Sequence, residues 1–405
     1  MTDPASLPER CWLDLPSDTG FGLDNLPLGI FATGGGKPRT GVRIGDHVLD
    51  LWEWSHDEDH RTGSLNAFLA RGPGRWAELH RDLRTALTDE TFRDGTEPCL
   101  VPIDDVTMHL PIEVADYVDF YSSRQHAENV SRMFRPDSPQ LPANWASLPI
   151  GYHGRAGTVQ VSGTPVVRPS GQRKAPDDDA PTLGPSRRLD VEAEVGFVVG
   201  TPSELGRPVP LGAFPDHVFG VCLVNDWSAR DIQTWEYQPL GPFLAKSFLT
   251  SVSPWVVPLE ALAAARVPPP ARDPEPLPYL RDDEHPWALD LALEVRLNGE
   301  VLSRPPFSTH YWTAAQQLAH LTVNGASLRT GDLYASGTVS GPARDQWGSL
   351  LELSWNGTEP LTLADGSTRT FLEDGDVVTI TATAPGVDGG RISFGEVTGR
   401  VEPAR

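Results

Sequence analysis

Polar and apolar positions alternate along this chain in short runs that mostly end at Gly or Pro. Leu28 to Phe31, Thr40 to Ile44 and His47 to Leu51 predict three short strands, with Gly45-Asp46 as a hairpin turn. Further strands are predicted at Thr158 to Val161, Pro165 to Val167, Leu189 to Val199, Ser349 to Trp355, Asp376 to Ala382 and Arg391 to Val401. Leu289 to Leu297 alternates in the same way and closes in a hairpin at Asn298-Gly299. Phe219 to Val224 is apolar without a break, as in a strand buried on both faces. Helical spacing is rarer. It recurs at Trp76, Leu79, Leu83, Ala86 and Leu87, and again from Tyr311 to Leu321, with Trp312, Ala315, Leu318 and Ala319 facing inward. The pattern predicts a mainly β protein.

Two units are expected. Residues 1–111 read as a small β-barrel with helical trimmings and no chemistry, and residues 112–405 as a larger catalytic unit. Pro102 and Pro111 flank the junction. Gly34-Gly35-Gly36-Lys37 is followed by Pro38 rather than Ser or Thr, so it reads as a hairpin tip and not a phosphate loop. Residues 170–188, with the run Asp177 to Asp179, read as an exposed loop, and residues 258–287 as surface excursions.

Composition narrows the function. The formal charge of −22 repels phosphate backbones and argues against a nucleic-acid partner. It leaves room for an anionic small substrate, because a bound metal or an Arg/Lys cluster can reverse the field in one pocket. Cys11, Cys99 and Cys222 are too far apart for a CxxC metal site or a disulfide framework, which fits a reducing cytoplasm. The opening Met1-Thr2-Asp3-Pro4 shows no signal-peptide pattern, and no apolar run approaches the ~18 residues of a membrane span.

Candidate chemistry starts at Asp119-Phe120-Tyr121-Ser122-Ser123-Arg124-Gln125-His126. Asp119 and Tyr121 share one side of a strand, and His126 opens a helical stretch. Glu192 and Glu194 share one strand face, where the plain alternative is a solvent-facing acidic edge. Asp226 ends the buried apolar run. If the next segment is helical, Asp226, Arg230, Gln233 and Tyr237 lie on one face. Lys246 sits in an apolar setting. Four carboxylates, Asp119, Glu192, Glu194 and Asp226, with no Cys or multi-His set, suit Ca2+ or Mg2+ rather than zinc. Such a cation polarises an oxygen-rich substrate, above all a chelating 1,3-dicarbonyl. Arg230, Gln233 and Lys246 supply donors to a leaving enolate or carboxylate, and His126 is the natural base for a water. Spacing does not say which carboxylate orients that histidine.

The stretches Asp119 to Asn129, Leu148 to Arg155, Asn225 to Lys246 and Ser336 to Trp355 resemble the fumarylacetoacetase family, and the similarity extends over nearly the whole chain. The resemblance implies an N-terminal SH3-like barrel, a C-terminal mixed β-sandwich roll and a homodimer. It implies Asp119, Glu192, Glu194 and Asp226 as metal ligands, His126 as the base and Glu352 as its orienting partner. Arg230, Gln233 and Lys246 match the positions that stabilise the carbanion. Tyr121, Arg135, Tyr152, Tyr237 and Thr338 match substrate contacts. Lys246, through its backbone carbonyl, and Thr250 match a second cation site for Mg2+ beside the main Ca2+ site. The chain departs from the pattern by a shorter 300–310 region and by Gln346-Trp347, both outside the motifs. The implied reaction is hydrolysis of the carbon–carbon bond of 4-fumarylacetoacetate to fumarate and acetoacetate, the last step of tyrosine breakdown. Two alternatives stand beside it: another reaction of the wider superfamily, such as acylpyruvate hydrolysis, and a noncatalytic β-module held together by a cation.

Overall fold

The unbroken apolar run becomes the strand Val218–Asp226, buried along its whole length at the centre of the largest sheet. The computed structural model describes residues 10–16, 18–135, 137, 140–284 and 286–405, so the N-terminal tetrapeptide lies outside the described residues. On one side Val218–Asp226 pairs antiparallel with Ala193–Val199, and on the other with Thr250–Val252 and Trp255–Pro258. Beyond Ala193–Val199 come Leu333–Ala335, Tyr117–Phe120 and Gly151–His153, with a parallel step between Leu333–Ala335 and Tyr117–Phe120. A second sheet runs Glu300–Ser303, Ala292–Leu297, Val377–Pro385, Arg391–Glu402 and Val166–Val167.

The two faces of the central strand explain its composition. Val221 and Leu223 join Val195 and Phe197 in one core that also takes in Leu293, Ile380, Phe394 and Val397 of the second sheet. Cys222 and Val224 face a second core with Leu28, Ile30, Leu79 and Leu83 from the first part of the chain. A strand covered on both sides has no polar face to alternate.

The three N-terminal strands form as Leu28–Thr33, Arg39–Ile44 and His47–Asp50, with Gly45 (φ 52°) turning between the last two. They do not stand apart. Leu28 and Gly29 pair with Val256 and Trp255, so the N-terminal strands continue the large open sheet. No closed barrel is seen among the described residues. The helix Pro73–Thr88 buries Leu79, Leu83, Ala86 and Leu87 as its periodicity predicts. Ala314–Thr322 forms behind a capping box of Thr313 and Gln316. Asn298-Gly299 makes the predicted hairpin with both residues at positive φ.

Four expectations need correction, the first at residues 170–188, where Ser170–Arg173 pairs antiparallel with Thr182–Pro185 instead of leaving the whole segment as loop. Ser349 to Trp355 is not a strand: Leu350–Leu353 is a helical turn capped by the Ser349 hydroxyl, which accepts from the Glu352 N–H. The S-x-x-E pattern of residues 349–352 is itself a helix-start signal, and it outweighs the apolar run. Leu189 to Val199 is broken, with Leu189–Asp190 pairing elsewhere and the ladder resuming at Ala193. The surface excursion holds only for about residues 268–279, because Leu259, Ala261 and Leu262 before it and Leu280, Asp282 and Trp287 after it are buried.

Candidate active site

Asp119, Glu194 and Asp226 come from three strands of the large sheet, and each offers an oxygen within 4.8 Å of the others. The strand between Asp119 and Glu194 contributes Ala335, which pairs with Gly196 on one side and Asp119 on the other and presents only a methyl group. Gly337 (φ 79°) then lets the backbone pass so close to Phe120 that a Cβ there would clash with the Phe120 carbonyl oxygen, and the Gly337 N–H donates to Glu194 at 3.2 Å. All three acids are buried, so the solvent-facing reading of Glu194 does not hold. Asp119 Oδ1 and Glu194 Oε1 find no hydrogen-bond partner among the described residues. Burial, then the neighbouring carboxylates, push the carboxyls of Asp119 and Glu194 well above their ordinary range. Converging buried acids with unfilled oxygens are a donor set able to hold a metal ion.

Beside the triad lies a cluster in which every charge is answered. Arg230 donates through Nε to Asp190 (2.8 Å), through Nη2 to Glu192 (2.6 Å) and through Nη1 to Gln233 (3.1 Å). Lys246 Nζ bonds Glu192 and lies 2.6 Å from Asp226, to which Thr250 also donates at 3.1 Å. Glu192 is thus held between two cations rather than in the triad. Burial pushes its carboxyl up, but Arg230 and Lys246 together outweigh that and hold it below the ordinary range. Asp226 is the last residue of its strand and the helix Arg230–Glu236 starts four residues later, so the four residues expected on one helix face split between two elements. Arg230 and Gln233 still meet.

The third component is His126, at the start of the helix Arg124–Phe134, whose cap Ser123 accepts from the His126 N–H. His126 Nδ1 lies 2.8 Å from Glu352 Oε2. Glu352 is fully buried, with Ser340, Ser349 and Asn129 all donating to it. Burial raises its carboxyl, but His126 and these donors bring it below the ordinary range. An anionic acceptor at Nδ1 keeps the proton there and leaves Nε2 with the lone pair.

Of the residues expected to touch substrate, Tyr121 meets the His126 ring edge-on at 5.5 Å between centroids, and Tyr152 is the register partner of Asp119. Thr338 is buried in the loop after Gly337. Tyr237 and Arg135 are exposed, each at the C-terminal end of its helix. Asp190, Asn129, Ser340 and Ser349 were not anticipated. Asn129 carried one signal, its place three residues after His126 on the same helix face.

Comparison with known proteins bears on all of this. Residues 24–111 match the family described as fumarylacetoacetase N-terminal, and residues 116–402 the family described as fumarylacetoacetate (FAA) hydrolase C-terminal. The chain is 48% identical to fumarylacetoacetase of Homo sapiens over 97% of its length and 99% of the relative's. It is 46% identical to that of Caenorhabditis elegans and 44% to that of Arabidopsis thaliana, each over 98% of this chain and 99% of the relative. Among solved structures, a fumarylacetoacetate hydrolase from Exiguobacterium antarcticum superposes with a TM-score of 0.56 at 18% identity, covering 94% of this chain and 99% of the other.

Proposed function

The chain belongs to the fumarylacetoacetase family, and from that premise we infer that it hydrolyses 4-fumarylacetoacetate to fumarate and acetoacetate, with His126 as the base. The observation that carries the residue assignment is the buried contact of His126 Nδ1 with Glu352, which leaves Nε2 to take a proton from water. That water adds to the carbonyl next to the fumaryl group. The carbon–carbon bond then breaks, its electron pair leaves with the acetoacetate fragment, and a proton completes that product.

Arg230, Gln233 and Lys246 face the charge that develops on the leaving enolate, with Arg230 and Lys246 kept cationic by the acids they touch. Asp119, Glu194 and Asp226 would hold a Ca2+ or Mg2+ ion, with Glu192 beside them as a further ligand. When bound, the ion offsets the mutual repulsion of the acids and polarises the oxygens of the diketo acid. Thr250 and the Lys246 backbone carbonyl would serve a second cation. Tyr121, Tyr152 and Thr338 line the substrate's place, and the exposed Tyr237 and Arg135 reach it from the solvent side. Residues 1–111 and 112–405 act as two parts of one enzyme, an SH3-like and a sandwich-roll part, in a cytoplasmic homodimer. No helix among the described residues is long and apolar enough to cross a membrane.

The test is a spectrophotometric assay of purified protein with fumarylacetoacetate, before and after chelation, with both products identified. Metal-dependent release of fumarate and acetoacetate is expected. Folded, metal-replete protein that leaves the substrate intact would overturn the reading and direct the assay to acylpyruvates.

A further inference from the structure

Asp190 is fully buried and accepts four hydrogen bonds. Its Oδ1 takes the N–H groups of Val191 and Leu350, both at 2.8 Å, and its Oδ2 takes the Leu351 N–H at 3.1 Å and Arg230 Nε at 2.8 Å. Leu350 and Leu351 open the turn that carries Glu352, and Glu352 holds His126. Arg230 goes on to Glu192 and Gln233. One carboxylate therefore grips both the support of the base and the cation assigned to the leaving group.

We propose that Asp190 is a positioning residue, which fixes the separation between the His126–Glu352 pair and the Arg230 guanidinium. A simple counter-ion role does not account for its contacts. Glu192 already answers Arg230, and two of the four bonds go to the backbone of a different element. All four groups around Asp190 are donors, so the site requires an acceptor at both oxygens. An asparagine of the same shape turns one acceptor into a donor facing donors. The effect should fall on the reaction step and not on substrate binding, since Asp190 touches the machinery on both sides of the reacting bond.

This rests on His126 being the base, so Asp190→Asn is measured beside His126→Ala. The expected result for Asp190→Asn is a fall in kcat on the order of 100-fold, the scale of an ångström-sized misplacement, with KM changed less than about threefold. A kcat within about threefold of the parent, or a loss that merely tracks the folded fraction by circular dichroism, overturns the proposal. Should that variant fail to fold, Asp190→Asn is tested in an Arg230→Gln background, where one of the clashing donors has gone. There it should lower kcat by a further threefold to tenfold, about 1 kcal/mol, through the helical turn alone. No further loss, or the full 100-fold repeated, overturns it. Full activity in His126→Ala sinks the base assignment instead, so the two failures are distinguishable.

Discussion

Two groups of buried acids lie side by side in this molecule, and they are built on opposite terms. Glu192 and Glu352 are saturated: Glu192 lies between Arg230 and Lys246, and Glu352 takes His126, Asn129, Ser340 and Ser349. Asp119 and Glu194 keep oxygens with no partner among the described residues. The first group has a donor from the chain itself on every oxygen, and the second waits for something the chain does not encode. Buried charge without an answer is expensive, so its persistence marks where an ion belongs.

The largest effects that would sharpen this contrast are removal of the base and removal of the cation. His126→Ala should lower kcat on the order of 1000-fold, within the range of general-base catalysis, while the metal titration of the folded protein stays as in the parent. Retained turnover would break the assignment. Chelation comes next. Stripping the cation should abolish turnover and lower the melting temperature by several degrees, both restored by Ca2+ or Mg2+, because an ion that binds only the folded state stabilises it by mass action. A melting curve indifferent to chelator and to added ion would show that the open oxygens are not a metal site.

The two groups should also respond to pH with opposite sign. Asp119 and Glu194 have folded-state pKa values above their unfolded ones, so in metal-free protein their contribution is complete below about pH 4 and is lost as the pH rises through the raised values. Glu352 is depressed, so its contribution is present above about pH 4 and lost on acidification. Melting temperature measured from pH 5 to 8 should therefore fall in chelated protein, and saturating Ca2+ should flatten that fall. A slope the cation leaves unchanged would refute the account. The smallest effect is expected at Asn129. Replacing it by Ala removes one of several donors to Glu352 and should cost about tenfold in kcat, since a hydrogen bond to a charged group contributes about 1.5 kcal/mol.

How much of this was legible depends on distance along the chain. Asp226 stood out because it ends an apolar run, and Asp119 because polar and aromatic residues interleave around it. The link between His126 and Glu352 spans 226 positions, and nothing in local spacing could supply it; only family resemblance did. The S-x-x-E signal at Ser349 marks the helix start, while the three leucines beside it imitate a strand, because their burial comes from the interior position of the turn and not from strand alternation. Asp190 was invisible because it reads as one more strand residue, and its four donors come from three separate segments. The N-terminal strands join the large sheet for a related reason: Leu28 and Gly29 pair with Val42 and Gly41 of their own unit on one side and with Val256 and Trp255, more than two hundred positions away, on the other.

That last pairing has a practical consequence for anyone cutting the gene. Without the first hundred residues, the Trp255–Pro258 edge would stand bare, and the face carrying Cys222 and Val224 would be open to water. Exposed edges of that kind recruit other chains. A shortened protein beginning near residue 112 should therefore be recovered from inclusion bodies, because the N-terminal segment shields both that edge and that face.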